Sequence, residues 1–453
     1  MAKRPAFQGT LFTGPQLRAL IVPLIAEQFL AVTVGMADTM MVSTVGQGAV
    51  SGISLVDQIN MLLIQVFAAL ATGGAVVASQ YLGRRDREHA VASAKQLFYV
   101  VLACSTVVAA AAVIFNRHIL HGIFGNVEPA VMEAAETYFW LSALSYPFLA
   151  VYNAGAALFR SMGNSKISLV ASLIMNVINI GGNAILIYGF GMGVAGAATA
   201  SLISRMTAAF IVVGLLMNRD QPIYFDRLLH PRWDGGLVKS ILRVGVPTGF
   251  ENGIFQIGKL LVAGLIASYG TTAIAANAVC NNILSIPNIP GSAIGLAAVT
   301  VVGRCVGAGD SAQARGYTKL LVKLSYLAMG IVSVLVLLTS PWLVGFYAMP
   351  PETTQLAMTV INFVCIGAVL FWTPSFMLPQ ALRAAGDAKF TMVVSMISMW
   401  TFRVGASIVL GTWLGWGLIG VWAAMVLDWV VRLLAFSLRF KGQAWLRKKV
   451  IEN

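Results

Sequence analysis

The chain has 453 residues, of which 58% are hydrophobic and only 10% charged, and its mean hydropathy is +0.81. That composition excludes an ordinary soluble domain and points to an integral membrane protein. The net charge of +13 raises the question of a nucleic-acid partner, but the basic residues fall in alternate connections between apolar runs, which is the pattern of membrane orientation and not of a binding patch.

A membrane-spanning helix needs about 20 mostly apolar residues, because lipid offers no partner for backbone polar groups. Runs of that size cover residues 16–44, 52–80, 92–114, 134–159, 167–190, 193–217, 240–269, 272–303, 317–345, 355–382, 390–412 and 415–438, about twelve in all. The opening "MAKRPAFQGTLFTGPQLR" is basic but lacks a small-residue cleavage site, so no cleaved signal peptide is expected. Arg84, Arg85, Arg87, Arg160, Lys166, Arg219, Arg227, Arg304, Arg383, Lys389, Arg447 and Lys449 lie in every second connection or at the carboxyl end. The intervening connections near 46–52, 190–193, 269–272, 345–355 and 412–415 carry no Lys or Arg, and only Arg117 in the 115–133 connection blurs the alternation. The bias predicts a multi-pass protein with both termini cytoplasmic.

The chain repeats itself. An offset of 224 residues superposes Val22-Pro23 on Val246-Pro247, Glu27 on Glu251, Gly46 on Gly270, Asp86 on Asp310, and Gly193 and Gly196 on Gly417 and Gly420. "RSMGNSK" at 160–166 matches "RAAGDAK" at 383–389 with a slip of one. Each half holds six spans, an even number, so the predicted fold is an all-α membrane protein of two parallel repeats, an arrangement found in transporters. The expected organisation is an amino-terminal six-helix lobe over 1–217, a cytoplasmic linker over 218–239, a carboxyl-terminal lobe over 240–440 and a basic tail over 441–453.

Glu27, Asp38, Asp57, Glu251 and Asp428 fall inside spans, where a charge costs about 2.5 to 3.5 kcal/mol on insertion scales. Glu27 and Asp38 are eleven residues apart, which at about 100° per residue returns to nearly one helix face, about 16 Å along the axis. Pro23 removes a backbone donor one turn before Glu27 and can bend that helix. In the fifth span "MNVINIGGNAILIYG" places Asn176, Asn179 and Asn183 on one face. Carboxylate and amide oxygens suit a small cation such as sodium, and the same carboxylate can instead take up a proton. An Asn row also serves as helix–helix glue, and Glu27 and Glu251 can share a structural role at a Pro-x-x-x-Glu bend. Lys259 can act as a counter-ion near Glu251, Asp57 can be merely solvated, and Asp428 is expected to pair with Arg432 and Arg403.

Two short matches are decoys. "GIFQIGKL" at 253–260 lacks the Ser or Thr that ends a phosphate loop, and "GAGD" at 307–310 has "GRRD" at 83–86 as its repeat partner, which reads as a turn. Cys104, Cys280, Cys305 and Cys365 are scattered and suggest neither metal nor disulfide. No HExxH or GxSxG occurs.

"ADTMMVSTVG", "ALATGGAVVASQYLGRRD", "LFRSMGNSK", "GVAGAATAS", "GVPTGFENGIFQIGK" and "AIAANAV" together resemble bacterial multidrug and toxic compound extrusion (MATE) transporters over nearly the whole chain. The resemblance implies two six-helix lobes forming a V around a central cavity, and export of organic cations and similar drugs against entry of sodium or protons. It implies that Asp38 is the first-helix aspartate of coupling and Asn179 the fifth-helix asparagine of the amino-lobe cation site. Ser201 stands where that site often has threonine, one turn after Ala197, and Glu251 matches a glutamate that some members use. Asn183 departs from the pattern, being aspartate in many members, so one formal charge is missing and Glu27 is the candidate to supply it. The tenth span also lacks the acid that some members pair in the carboxyl lobe.

The resulting assignment for cation coupling is Asp38, Glu27, Asn179, Asn183, Ala197, Ser201 and Glu251, with Asp38, Asn179 and Asn183 as metal ligands if sodium couples. Asn176, Gln256 and Lys259 are assigned to a substrate cavity. The expected protein is a secondary active multidrug efflux antiporter of the bacterial inner (cytoplasmic) membrane, a monomer that acts by alternating access on small organic cations. It uses H+ or Na+, no cofactor, no catalytic residue and no nucleic acid. A lipid-linked precursor flippase is the alternative, although such proteins often have a strongly cationic cavity and here intramembrane acids outnumber Lys259 and Arg403. An intramembrane enzyme would need a nucleophile or metal constellation that the sequence does not offer.

Overall fold

The computed structural model describes residues 10–125, 127–226, 228, 232–448 and 450–451, and among these it is helical with no strand. The first half contains α1 (Gly14–Ser43), α2 (Gln47–Gly83), α3 (Arg87–Ile114), α4 (Asn116–Phe124), α5 (Pro129–Leu144), α6 (Tyr146–Ser161), α7 (Ser165–Asn183) and α8 (Gly193–Leu216). The second contains α9 (Gly235–Ala267), α10 (Thr271–Gly307), α11 (Ser311–Gly345), α12 (Pro351–Gly367), α13 (Thr373–Ala384), α14 (Ala388–Ile397) and α15 (Gly417–Lys441). Wider π turns follow α7 at Ala184–Gly189, join α12 to α13 at Ala368–Trp372, and follow α14 at Ser398–Gly405 and Ile408–Trp413.

Eleven helices among the described residues are long and apolar enough to cross a membrane. The missing member of the expected set is the span predicted at 134–159. It is two helices, α5 and α6, each of 16 residues, or about 24 Å, short of the roughly 30 Å of hydrocarbon. Pro147 explains the break, since it brings no N–H to a continuing helix and suits the first turn of a new one. Ser145 sits at the break, and its hydroxyl donates to Ser142 O at 2.6 Å. The 115–133 connection contains α4, whose Arg117 pairs with Glu136 at 3.0 Å.

The duplication carries through to geometry. Helices α2 and α10 have bounds one repeat apart, as do the π turns Ala184–Gly189 and Ile408–Trp413. Asp86 accepts from His89 N at 3.1 Å and Asp310 from Gln313 N at 2.9 Å, so the two "GxxD" matches are helix N-caps. Gly193 and Gly417 open α8 and α15 at φ 54° and 53°, a conformation that a side chain would strain.

The contacts divide the chain into two compact units, Gly14–Gly249 and the chain from Phe250 onward, the division falling inside α9. Leu11 and Phe12 belong to the second unit, their backbone N–H groups donating to Gln313 Oε1 at 2.9 Å and Tyr317 OH at 3.1 Å. Within each unit α2 or α10 is the most deeply buried span. Small residues permit the close packing: a Cβ on Gly52 would stand 2.7 Å from Val131 O and 2.9 Å from Ala135 N of α5. In the second unit Trp372, Trp422, Trp429 and Cys280 belong to one apolar core.

The polar linker is bound to the first unit. Arg87 donates to the carbonyls of Arg219 at 2.8 Å and Gln221 at 2.7 Å, Tyr99 to that of Leu228 at 3.1 Å, and Lys95 Nζ to Asp226 Oδ1 at 2.6 Å. Arg227, His230 and Lys449 lie outside the described residues. The hydrogen bond from Lys95 holds the Asp226 carboxyl below its ordinary range. Its contribution is therefore present at neutral pH and is lost as pH falls through that lowered value. Limited proteolysis within 218–236 should be faster for Asp226→Asn than for the parent at neutral pH, and the two should converge on acidification; equal rates at neutral pH would show that this contact does not hold the linker.

Candidate functional site

Three helices of the first unit bring together most of the residues assigned to coupling. Asp38 lies near the end of α1, Asn179 and Asn183 on the last turns of α7, and Ser201 on α8. Asn183 Nδ2 donates to Asp38 Oδ1 at 2.7 Å. With its amide turned so that each end meets a complementary partner, Asn179 donates to Asp38 Oδ1 at 2.7 Å and Oδ2 at 3.0 Å, and its carbonyl accepts from Ser201 Oγ at 3.1 Å. Asp38 is thus an acceptor-only anion surrounded by amide donors, the arrangement a carboxylate needs where water is scarce. Ala197 is buried in the apolar cluster with Val42, Ile53 and Ile187. Asn176 turns elsewhere, donating to Ser172 Oγ at 3.4 Å on its own helix.

The Asn183 carbonyl oxygen is buried and has no hydrogen-bond partner among the described residues. Asn183 is itself only 2% exposed. A buried oxygen left unpaired beside a carboxylate is an open ligand for a cation or a proton donor. The helix changes at once after this residue to the π turn Ala184–Gly189, and such turns inside helices occur often at functional sites.

A second layer surrounds the cluster. Asn60 donates to Asp57 Oδ1 at 3.2 Å and accepts from Tyr146 OH at 2.7 Å, while the Tyr138 hydroxyl reaches Asp57. Arg205, one turn beyond Ser201 on α8, donates to Ser145 Oγ at 2.7 Å, and its charge acts on both Asp38 and Asp57. The hydroxyl at the α5–α6 break is thus the hydrogen-bond partner of a guanidinium within the bundle. Sequence reasoning missed Arg205, although a single Arg inside an apolar run is a signal in its own right. Tyr138, Tyr146 and Ser145 offered no such signal. The two acids Asp38 and Asp57 set against Arg205 leave this group one negative charge.

Glu27 does not join this cluster. It accepts from Ser168 Oγ at 2.7 Å and pairs with Arg160 at 3.7 Å. Its repeat partner does the same: Glu251 pairs with Arg383 at 3.2 Å and accepts from Ser395 Oγ at 2.6 Å and Thr391 Oγ1 at 3.3 Å. Arg160 and Arg383 are the arginines of the "RSMGNSK" and "RAAGDAK" stretches, so the pair is a duplicated device. Asp428 is fully buried and pairs with Arg432 at 2.9 Å and Arg403 at 3.6 Å, as its sequence neighbours suggested, and it also accepts from Ser398. Lys259 Nζ lies 5.8 Å from the centre of the Phe255 ring. Gln256 is half-buried on α9, in the helical turn that precedes Lys259.

A sequence profile of the MatE family matches residues 23–185 and again 247–409, the two matches standing one repeat apart. The chain is 30% identical to an uncharacterized transporter, YisQ, of Bacillus subtilis, covering 98% of this chain and 99% of that one. It is 27% identical to a probable multidrug resistance protein, NorM, of Thermotoga maritima, covering 96% and 94%. Its fold matches a solved MATE transporter in the bent conformation with a TM-score of 0.86 at 19% identity, covering 94% of this chain and 95% of that one. An outward-facing multidrug resistance MATE transporter gives 0.87 at 19% identity over 98% and 100%. The protein is therefore a multi-pass membrane transporter and not an enzyme, and it belongs to the MatE family.

Proposed function

We propose that this multidrug transporter works by cation-coupled antiport, exporting small amphiphilic compounds as a monovalent cation enters at Asp38. The reading is carried by one observation: the Asp38 carboxylate is gathered with Asn179, Asn183 and Ser201 on three helices, next to the unpaired Asn183 carbonyl oxygen. The net single negative charge of Asp38, Asp57 and Arg205 suits one monovalent cation per cycle. A proton would bind one oxygen of the Asp38 carboxylate and displace an amide donor from it. Sodium would use the carboxylate and the Asn183 oxygen, and would draw on Asn179 only if that amide turned its oxygen inward.

In this reading the coupling ion is a substrate of the cycle, and the lobes 1–217 and 240–440, joined by 218–239, are its two bodies. Glu27 and Glu251, each one turn after a helix-interior proline where a helix can bend, act through their arginine pairs. Asn176 and Gln256 belong to the path of the substrate. The protein sits in the bacterial cytoplasmic membrane as a monomer, its basic connections and termini on the cytoplasmic side.

The test is reconstitution in liposomes with a fluorescent organic cation and with sodium and pH gradients imposed separately. Coupling free energies of roughly 1–3 kcal/mol correspond to about 5–150-fold, so Asp38→Asn should lose at least about fivefold of the stimulation by the productive gradient while inserting normally. Undiminished stimulation would exclude Asp38 as the coupling group. Arg205→Gln removes a charge and keeps a donor for Ser145, so it leaves two acids unbalanced. Its transport should depend more steeply on the coupling-ion gradient than the parent's, and an unchanged dependence would refute the charge inventory. Asn183→Asp should shift preference toward sodium, read as a larger ratio of sodium-driven to proton-driven export; a ratio equal to the parent's would count against this position as an ion ligand.

A further inference from the structure

The second unit holds the opposite charge balance. Arg383, Glu251, Ser395, Arg432, Asp428 and Arg403 form one connected network, with Ser395 donating to Glu251 and accepting from Arg432 NH1 at 3.2 Å. Arg383 offsets Glu251, and the single charge of Asp428 is shared between Arg432 and Arg403. Counting Lys259, the cluster has four cations for two acids. The acids that outnumber Lys259 and Arg403 along the whole chain do not do so here.

The surplus is at Arg403 and Lys259. Among the described residues neither side chain donates a hydrogen bond to the protein, Lys259 has no ion-pair partner, and Arg403 has only the 3.6 Å contact to a carboxylate it shares. They are close enough for the charge of Arg403 to act on Lys259. Both lie against the ring of Phe255, Arg403 Cζ at 5.1 Å and Lys259 Nζ at 5.8 Å from its centre. Asp428 is fully buried, with Oδ1 held by Arg432 and Ser398 and Oδ2 facing Arg403 at 3.6 Å, and it makes no ion pair with Lys259. Lys259 is exposed on α9. Incompletely offset cations within a membrane-spanning bundle, with N–H groups to spare, favour an anion.

The repeat sharpens the contrast. At the offset of 224 that relates the π turns Ala184–Gly189 and Ile408–Trp413, position 403 is the counterpart of position 179, so an amide in the first half corresponds to a guanidinium in the second. Position 262, the counterpart of Asp38, is Val262. Phe255 continues into an aromatic wall, edge-on to Phe376 at 6.2 Å, which stacks on Trp372 at 4.8 Å.

We propose that Lys259 and Arg403 bind a single oxyanion, carboxylate or phosphate, carried by an amphiphile whose aromatic or apolar body lies beside Phe255. The inference deepens the transport reading by naming a substrate class, and it rests on that reading only for the step of export. The amphiphile is held through the guanidinium and ammonium by charge-assisted hydrogen bonds, for which Arg is suited to planar oxyanions and Lys acts as a point charge.

The test is equilibrium binding of 1-pyrenecarboxylate and of its methyl ester to the purified full-length protein in nanodiscs, without any ion gradient. A desolvated charge-assisted contact predicts that the acid binds at least about tenfold more tightly than the ester. Lys259→Gln should lose most of that difference while still binding the ester, and Lys259→Arg should keep it. Equal affinities for acid and ester, or a full difference in Lys259→Gln, would overturn the proposal. Should Lys259→Gln fail to fold, inorganic phosphate serves on the parent protein: it should displace the acid and not the ester, and failure to displace the acid at any concentration would count against the site. Phosphatidylglycerol nanodiscs compared with phosphatidylcholine ones separate the sources: weaker binding of the acid in phosphatidylglycerol assigns the oxyanion to a net-anionic lipid headgroup, and equal binding to a soluble oxyanion. Because no gradient is present, failure of binding leaves antiport standing, and failure of antiport leaves the site standing.

Discussion

A charge inside a bilayer must be offset by the protein, because lipid offers neither donors nor counter-ions. Three of the five acids inside spans obey that constraint by pairing with arginine, each with at least one partner on another element. Glu27 meets Arg160, Glu251 meets Arg383, and Asp428 meets Arg432 and Arg403. These pairs fix which helix faces meet, because removing one partner leaves the other buried and alone. Asp38 is the exception that matters, since its neighbours are neutral amides and the cation whose charge reaches it, Arg205, is committed to Ser145. A carboxylate stabilised by neutral donors and not locked to a cation retains the capacity to take one.

The break between α5 and α6 belongs to the same logic. Arg205 on α8 needs an acceptor at depth, and an unbroken helix would use its own carbonyls and offer little else. Pro147 opens the helix, Ser145 sits in the opening, and its hydroxyl takes the guanidinium. Tyr146, next in sequence, reaches Asn60 and through it Asp57, so one short stretch of chain organises the whole second layer around Asp38.

Much of this was legible in the sequence, for identifiable reasons. Spans could be read because each must hide its backbone over about 20 residues, and the repeat because Gly193, Gly417, Asp86 and Asp310 keep conformations and caps that few residues supply. Asp38 and the Asn face of α7 could be read because polar groups in apolar runs are few. What could not be read was partnership. Nothing local in "VPLIAEQF" says that Glu27 meets Arg160 and lies apart from the Asp38 cluster, because that choice is made by the packing of α1 on α7. The split of 134–159 was hidden because a proline is tolerated in many membrane helices. Arg205 was legible in principle and overlooked, whereas Tyr138 and Tyr146 are indistinguishable by sequence from lipid-facing or core aromatics.

Duplication makes two similar scaffolds, and their charges have diverged. The glutamate–arginine pair is present in both halves, as a requirement of the scaffold would be. The variable positions are those around it: Asp38 against Val262, Asn179 against Arg403, Asn183 against Ser407, Arg205 against Trp429. The exchanges at 38 and 179 move the first half toward negative or neutral oxygen and the second toward apolar or cationic surface, while Asn183 against Ser407 stays polar on both sides and Arg205 moderates the first. Two sites of opposite polarity on a common frame can bind unlike partners without competing for them. On the proposed reading a coupling cation belongs by charge to the first and an oxyanion to the second, and a conformational change that both bias would let one drive the other.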